Sequence, residues 1–174
     1  MALSLRAFYK KHRPLLAMGT AALLAELAYA ILNLSALPMY MKFVVHAEQY
    51  WGMIFSTFLL TEATSRPALG ALGDRIGRKP LMIAGPALTA VTSYLTIVLH
   101  GPWLIPGLIV LRAIDGLGSG ALWMNAFAAI GDLSDEDNRS TGMSLLNVTY
   151  MGGMALGFLM GGAANEHFRH SFCG

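Results

Sequence analysis

Charged and hydrogen-bonding side chains interrupt several long apolar runs of this chain, and each is a candidate for chemistry. In the first run, Asn33 and Tyr40 follow Glu26 at intervals of seven residues. Seven residues make nearly two helical turns, so these side chains share one face, and Tyr29 lies about 60° from Glu26 on the same side. We expect this face to line a cavity in which Glu26 takes up and releases a proton. A structural ion pair with Arg112 is the alternative.

The second apolar run carries a charge pair of its own. Glu62 and Arg66 are four residues apart, which is the spacing of an ion pair along one helix. Phe55 and Phe58 share that face, so one interpretation is a charged rung beside an aromatic wall that binds a polar or zwitterionic solute. The other interpretation is a self-neutralised pair that makes insertion into a membrane tolerable.

The fourth apolar run contains Arg112 and Asp115, which are three residues apart on one face. A charge in the middle of a bilayer costs about 2.5–3.5 kcal/mol on insertion scales, so both groups need a reason to be there. A functional role and a local ion pair between the two are the interpretations that the spacing allows. Trp123 continues the same stripe and is a candidate for contact with a solute.

Residues 70–81 read GALGDRIGRKPL and predict a turn between two helices. Gly70 and Gly73 allow a helix end to pack closely on a neighbour, and Gly77 can adopt the positive φ that reverses the chain. An acid in the last helical turn is unfavourable unless it is paired. The acid and its candidate basic partners are Asp74, Arg75, Arg78 and Lys79.

The elements that position these residues must be membrane-spanning helices. Of the 174 residues, 55% are hydrophobic and 13% are charged, whereas soluble domains carry about 25% charged residues. A net charge of +2 without a basic patch argues against nucleic-acid binding, and one cysteine excludes an internal disulfide. No phosphate-binding loop, dinucleotide fingerprint, metal site or cofactor site is predicted.

About 20 apolar residues cross a bilayer, and five stretches meet that length. They are 15–41, 51–72, 81–100, 103–130 and 141–164. The prediction is an all-α polytopic transmembrane bundle over 15–164, with tails at 1–14 and 165–174. A signal peptide cleaved near Ala30 is the competing interpretation of the first stretch.

Basic residues orient this bundle. Eight of them flank the helix ends on one side and two flank the other. The positive-inside rule then places the N-terminus in the cytoplasm and residue 174 outside, in a cell or inner membrane.

The fifth stretch carries a stripe of small residues, which are Gly153, Gly157 and Gly161. A four-residue glycine repeat in an apolar helix indicates close packing against another helix.

The motif at 70–81 resembles the loop signature of the major facilitator superfamily (MFS), G-x-L-x-D-R-x-G-R-K/R, between that family's second and third spans. Two weaker patterns are similar to the family's: RAIDGLGSG from Arg112 in span four, and ALPMY ending at Tyr40 in span one. Span five departs, because Phe158 stands where proton-driven exporters of the family commonly have proline.

The resemblance implies a secondary transporter of a small solute that works by alternating access, with proton coupling. Glu26 would carry the proton, Arg112 would take the family arginine's coupling role, and Asp115 falls where many relatives are neutral. The 70–81 motif would act as a conformational latch, including Gly70, Gly73 and Gly77.

A half of the family fold has six spans and a transporter has two halves, so the sequence predicts an incomplete chain. We expect residues 1–174 by themselves not to perform alternating access. Partners would be the lipid bilayer, a small-molecule substrate, protons, and the missing half or a partner chain. The alternative function is a non-transporting subunit that completes its bundle with a partner chain or a second copy. An intramembrane enzyme ranks last.

Overall fold

The computed structural model describes the backbone of residues 5–133 and 136–172 and the side chains of 17–132 and 139–164. The side chains of the basic N-terminal flank and of the 165–174 tail therefore lie outside the described residues. Within the described ranges every regular element is a helix, as predicted. The main helices are α1 (Leu5–Ala30), α2 (Leu37–Phe43), α3 (Trp51–Ile76), α4 (Arg78–Val98), α5 (Leu104–Leu133) and α6 (Glu136–Phe172).

The first span is one continuous helix with an irregular middle. A π-helical segment, Ile31–Ala36, joins α1 to α2, and the backbone stays helical at both junctions. A π-turn holds more residues than an α-turn, so residues beyond it are rotated about the axis. Tyr40, which lies beyond this segment, therefore departs from the predicted common face, whereas Glu26 and Asn33 line the same cavity.

Four of the described helical stretches are long and apolar enough to cross a membrane: Ala17–Phe43, Arg78–Val98, Gly101–Asp132 and Arg139–Ala164. The remaining predicted span, 51–72, corresponds to α3, which has 26 residues but is not among these four stretches. Its threonine hydroxyls donate to carbonyl oxygens one turn back, for example Thr57 to Met53 at 2.9 Å and Thr61 to Thr57 at 2.8 Å. Because these groups are satisfied inside the helix, they can lie in a low-dielectric surrounding.

Helix α5 lies at the centre of the bundle, between α3 and α4, and α6 packs along α1. Close approach depends on glycine: a Cβ at Gly116 would lie 3.1 Å from the Glu62 amide nitrogen, and one at Gly118 would lie 2.9 Å from the Gly85 carbonyl oxygen. The polar residues of α1, α3 and α5 are thereby brought into one interior. Side chains larger than hydrogen at Gly116 and Gly118 would push these helices apart.

Large apolar side chains cover the outside of the bundle. Leu24, Tyr94, Ile97, Val148 and Leu159 are each about two-thirds exposed, while charged side chains in the same spans are mostly buried. Soluble proteins expose charged side chains and bury apolar ones, and the reverse arrangement seen here suits the hydrocarbon core of a lipid bilayer. The chain is an integral membrane protein.

Candidate functional site

A cavity of about 70 Å³ lies in the polar interior between the first span, α3, α5 and α6. Six of the residues that line it were predicted from the sequence to face the solute or to carry the proton. They are Glu26, Tyr29, Asn33, Phe55, Phe58 and Glu62. It also includes Ser119 and Tyr150. Two carboxylates, two tyrosines and two phenylalanines therefore line the cavity, whereas large apolar side chains cover the outside of the bundle.

Glu26 is buried with 5% of its surface exposed. Its Oε2 accepts a hydrogen bond from the indole Nε1–H of Trp123 at 3.0 Å. Gly153 of α6 lies directly against its side chain, since a Cβ at that position would be 2.8 Å from Glu26 Cβ. Among the described side chains no base forms an ion pair with Glu26. An ionised carboxylate is costly to bury by itself, so a buried carboxylate that has no cation beside it is neutralised by binding a proton or a cation.

Glu62 faces the same cavity from α3 and has a partner. Arg66 Nη2 donates to Glu62 Oε1 at 2.7 Å, which confirms the predicted pair along the helix. Glu62 is 6% exposed, whereas the Arg66 side chain is 46% exposed. Arg66 is not among the residues that line the cavity. The pair thus presents the carboxylate to the cavity and turns the guanidinium outward.

Arg112 and Asp115 form the local ion pair, at 2.7 Å between Nη1 and Oδ2. Asp115 is fully buried, and Thr89 of α4 donates to its other oxygen at 2.6 Å. Arg112 also donates to Asn33 Oδ1 at 2.8 Å. The alternative pair between Glu26 and Arg112 is wrong, because Asp115 is one turn away on the same helix and already occupies the guanidinium.

The charges of the described spans are almost balanced. Each guanidinium is bonded to one carboxylate, so the Glu62–Arg66 and Arg112–Asp115 pairs are neutral. Glu26 is the charge left over among residues 17–41, 51–72, 81–100, 103–130 and 141–164. If ionised, it gives the cavity one uncompensated negative charge.

Two residues predicted to face the solute, Arg66 and Trp123, are not among those that line the cavity. Trp123 is 1% exposed. It packs edge-on to Tyr150 with ring centroids 4.7 Å apart, and its indole N–H donates to the Glu26 carboxylate. Tyr40 lines a different cavity. Sequence reasoning missed Tyr150, although its position three residues before Gly153 puts it on the glycine face of α6.

That second cavity measures about 230 Å³ and lies between the first span and α4. Apolar atoms make up most of its surface, although Tyr40, Ser93 and Thr96 also line it, and Arg112 of α5 is its one charged residue among those described. The smaller cavity is the better candidate, because it collects carboxylates, hydroxyls and aromatic rings in one place.

The 70–81 motif forms the turn between α3 and α4. Gly77 has φ of 94°, which an L-residue with a side chain rarely adopts, and it lies between the two helices. Arg78 donates to Asp74 at 3.2 Å and through Nε to Asp132 of α5 at 2.8 Å. The sequence indicated the first contact but not the second, because Asp132 is 54 residues away along the chain.

The rest of the motif is arranged around this bridge. Gly70 lies against Met124, and Gly73 lies against the Asn125 side chain. Arg75 and Lys79 are exposed and form no ion pair among the described side chains.

The glycine stripe of α6 packs on the first span, as its spacing predicts. Gly153 lies against Glu26, Gly157 against Ala30, and Gly161 against Ser35 of the π segment. The stripe therefore sets the distance between α6 and the residues that form the cavity.

Comparison with known proteins agrees with these features. A family model described as Major Facilitator Superfamily matches residues 11–172. The inner membrane transport protein YajR of Escherichia coli (strain K12) is 33% identical over 66% of this chain and 24% of its own length.

Two further relatives are named for resistance and efflux. The multidrug resistance protein MdtL of Klebsiella pneumoniae (strain 342) is 32% identical over 72% of this chain and 33% of its own length. The efflux pump dotC of Dothistroma septosporum is 28% identical over 91% of this chain and 27% of its own length. The chain thus spans about a quarter to a third of the length of these relatives. Since the family model covers nearly all of it, the chain belongs to the Major Facilitator Superfamily and is not an enzyme.

Proposed function

We propose that this chain forms part of a secondary active transporter that moves a small solute by alternating access, with proton coupling through Glu26. The observation that carries the proposal is the Glu26 carboxylate, which is buried at a cavity and has no cationic partner among the side chains that the structure describes. Such a group changes its charge when it gains or loses a proton, and that change can be linked to binding of a solute. Names given to the relatives for transport, resistance and efflux support the same function.

The cavity needs a second wall to alternate between two sides. Phe55 is only partly buried and the Arg66 side chain is half exposed, although both belong to the polar interior. We expect a second helical bundle, in the same polypeptide or in another, to cover this side. Motion of the two bundles around the cavity would then expose Glu26 to each side in turn.

Proton-coupled flux in everted membrane vesicles tests the proposal. The protein is expressed from its own gene in a host without other efflux pumps, and dissipation of the pH gradient is followed with a fluorescent dye on addition of a solute panel. We expect solute-dependent proton flux, its loss in Glu26→Gln, and its retention in Glu48→Gln, an exposed acid outside the spans.

Full pH-dependent flux in Glu26→Gln would remove Glu26 from the mechanism. No flux with any solute, together with a co-purified partner chain, would favour the non-transporting subunit instead.

We further propose that the α3–α4 turn faces the cytoplasm and the α2–α3 connection faces outward, following the excess of basic residues at the former. Cysteine labelling tests this in a Cys173→Ser background. A membrane-impermeant maleimide should label Gln49→Cys in intact cells and Lys79→Cys only after permeabilisation. The reverse pattern would invert the assignment.

A further inference from the structure

We propose that an apolar membrane helix docks on the bundle between the first span and α4, and that it carries a neutral hydrogen-bond acceptor for Arg112 and Ser93. Its docking surface is the second cavity, of about 230 Å³. Ala36 and Ile97 line this cavity and are exposed, so it opens on the outside of the bundle as a groove. The groove is separate from the cavity at Glu26, and docking there needs neither a proton nor a solute.

Two donors in the wall of the groove have no partner among the described residues. Arg112 is 3% exposed, and the hydrogen bonds that it donates to Asn33 and Asp115 both run from Nη1. Its Nε–H is buried without a hydrogen-bond partner in the described part of the chain, and so is the hydroxyl of Ser93. Buried polar groups that stay unpaired are costly and rare. An oxygen acceptor that enters the groove would satisfy both donors.

The depth of these donors favours a helix over a lipid as the occupant. Helix α4 ends at Val98 and α5 begins at Leu104, so both of these helix ends lie on one side of the bundle. Ser93 lies five residues before that side and Arg112 eight residues after it, which places them about 8–12 Å inside at 1.5 Å per residue. Lipid headgroups lie at the edge of the hydrocarbon core, whereas a helix presents side chains at any depth.

The charge of the groove selects a neutral acceptor. Arg112 and Asp115 already form a neutral pair at 2.7 Å, and Arg112 is the one charged residue among the described residues that line the groove. A carboxylate from the docking helix would therefore add an uncompensated negative charge to a low-dielectric interior. The acceptor is an amide or hydroxyl oxygen, from Asn, Gln, Ser or Thr, which are side chains that join helices within membranes.

The apolar part of the groove fits the same occupant. Leu32 and Leu37 of the first span and Ile97 of α4 line it. Protein interiors are close-packed with few voids larger than a water molecule, so apolar side chains of the docking helix would fill the groove around the acceptor. The relatives are long enough to supply such a helix from the same polypeptide, because the matched segment is a quarter to a third of their length.

Photo-crosslinking from both walls of the groove identifies the occupant. The full-length protein is expressed from its own gene with a benzophenone amino acid in place of Ala36 on one wall or Ile97 on the other. After irradiation in the membrane, mass spectrometry of the digested protein identifies what is attached. We expect both positions to capture the same apolar stretch of about 20 residues, with an amide or hydroxyl side chain in it. Leu60 of α3, which is about as exposed but does not line the groove, should capture different residues.

Ser93→Ala tests the hydrogen bond by the sign of its effect. If the docked helix accepts from Ser93, loss of the hydroxyl should lower the thermal midpoint of the full-length protein by about 1–3 °C. If the hydroxyl has no partner, its loss should leave the midpoint unchanged or raise it. Thr96→Val is the matched control and should change the midpoint less. Thr96 lines the same groove but donates to the Thr92 carbonyl oxygen of its own helix at 2.8 Å.

A double-mutant cycle joins the two results. The acceptor found by crosslinking is replaced by an apolar side chain of similar size, alone and together with Ser93→Ala. We expect the two effects on the thermal midpoint to be non-additive, because each change removes the same hydrogen bond.

Four results would overturn the inference: lipid adducts without a peptide, different helices captured from the two walls, a captured helix without an amide or hydroxyl side chain, or a Ser93→Ala midpoint at or above that of the wild type. None of these measurements uses proton flux. Failure of the transporter proposal would therefore leave the docking result unchanged, and the reverse also holds.

Discussion

The indole Nε1 of Trp123 on α5 lies 3.0 Å from Oε2 of Glu26 on α1, across 97 residues of sequence. Trp123 is itself fixed between Phe127 and Tyr150. A donor held this firmly gives the carboxylate one orientation, in which its other oxygen is left for a proton or a cation. The contact also joins the first span to the central helix of the bundle.

Trp123→Phe removes this donor while it keeps an aromatic ring. A hydrogen bond to a charged group is worth about 1.5–3 kcal/mol, so solute-dependent proton flux should fall about tenfold or more. Dye-detected proton flux in everted membrane vesicles measures the change. Phe127→Leu is the control, because it alters packing on Trp123 without touching Glu26. Equal losses in both variants would mean that packing, and not the hydrogen bond, orients the carboxylate.

Removal of one partner from the Arg112–Asp115 pair should be far worse than removal of both. Each single variant, Arg112→Gln or Asp115→Asn, leaves a buried charge uncompensated, which costs about 3–5 kcal/mol. The double variant is neutral and should unfold thermally close to the wild type, with pH-dependent flux retained. Loss of coupling in a stable double variant would give Arg112 the role that the family resemblance implies.

Substitution of Gly157 by valine should separate α6 from α1. A Cβ at Gly157 would lie 2.9 Å from the Leu27 carbonyl oxygen, which is backbone and cannot move aside cheaply. We expect a loss of about 1–3 kcal/mol in the free energy of unfolding. Gly152→Ala is the matched control, since nothing lies within 4 Å of a Cβ there. Its thermal midpoint should equal or slightly exceed that of the wild type.

Arg78→Gln should loosen the bridge between the α3–α4 turn and the end of α5, which we propose as the latch. Both acids are well exposed, at 67% for Asp74 and 61% for Asp132, so each contact is worth no more than about 1 kcal/mol. Thermal unfolding at low salt should show a small decrease, and 1 M salt should remove most of it. An equal decrease in Arg75→Gln, which forms no ion pair with any described side chain, would exclude a specific role for the bridge.

Local spacing was enough to predict several contacts. Residues four apart on a helix meet whatever the rest of the fold does, so Glu62–Arg66 and the Asp74–Arg78 pair follow from the sequence. The glycine repeat of α6 likewise predicts a close-packed face. The positive φ of Gly77 follows from a reversal between two helices.

Where the chain departs from a regular α-helix, or where two distant segments meet, spacing was not enough. The π segment Ile31–Ala36 separates Tyr40 from the face of Glu26, and no periodicity in the sequence marks it. Trp123 was placed correctly on the stripe of α5 but assigned to the solute, because a helical wheel does not show which neighbour covers a face. Asp132 reaches Arg78 only because α5 ends beside the α3–α4 turn.

The amino-acid sequence by itself determined that this is a helical membrane protein with an acid in its interior. The length of the apolar stretches and the free-energy cost of placing a charge in lipid both follow from the residue types alone. Only the tertiary structure decided between the two partners that the sequence left open for Arg112. Arg112 bonds to Asp115, one turn away on α5, and Thr89 of α4 donates to the other oxygen of that carboxylate. Within the described residues Glu26 has no cation beside it, because its surroundings are set by contacts with α5 and α6 that no local pattern encodes.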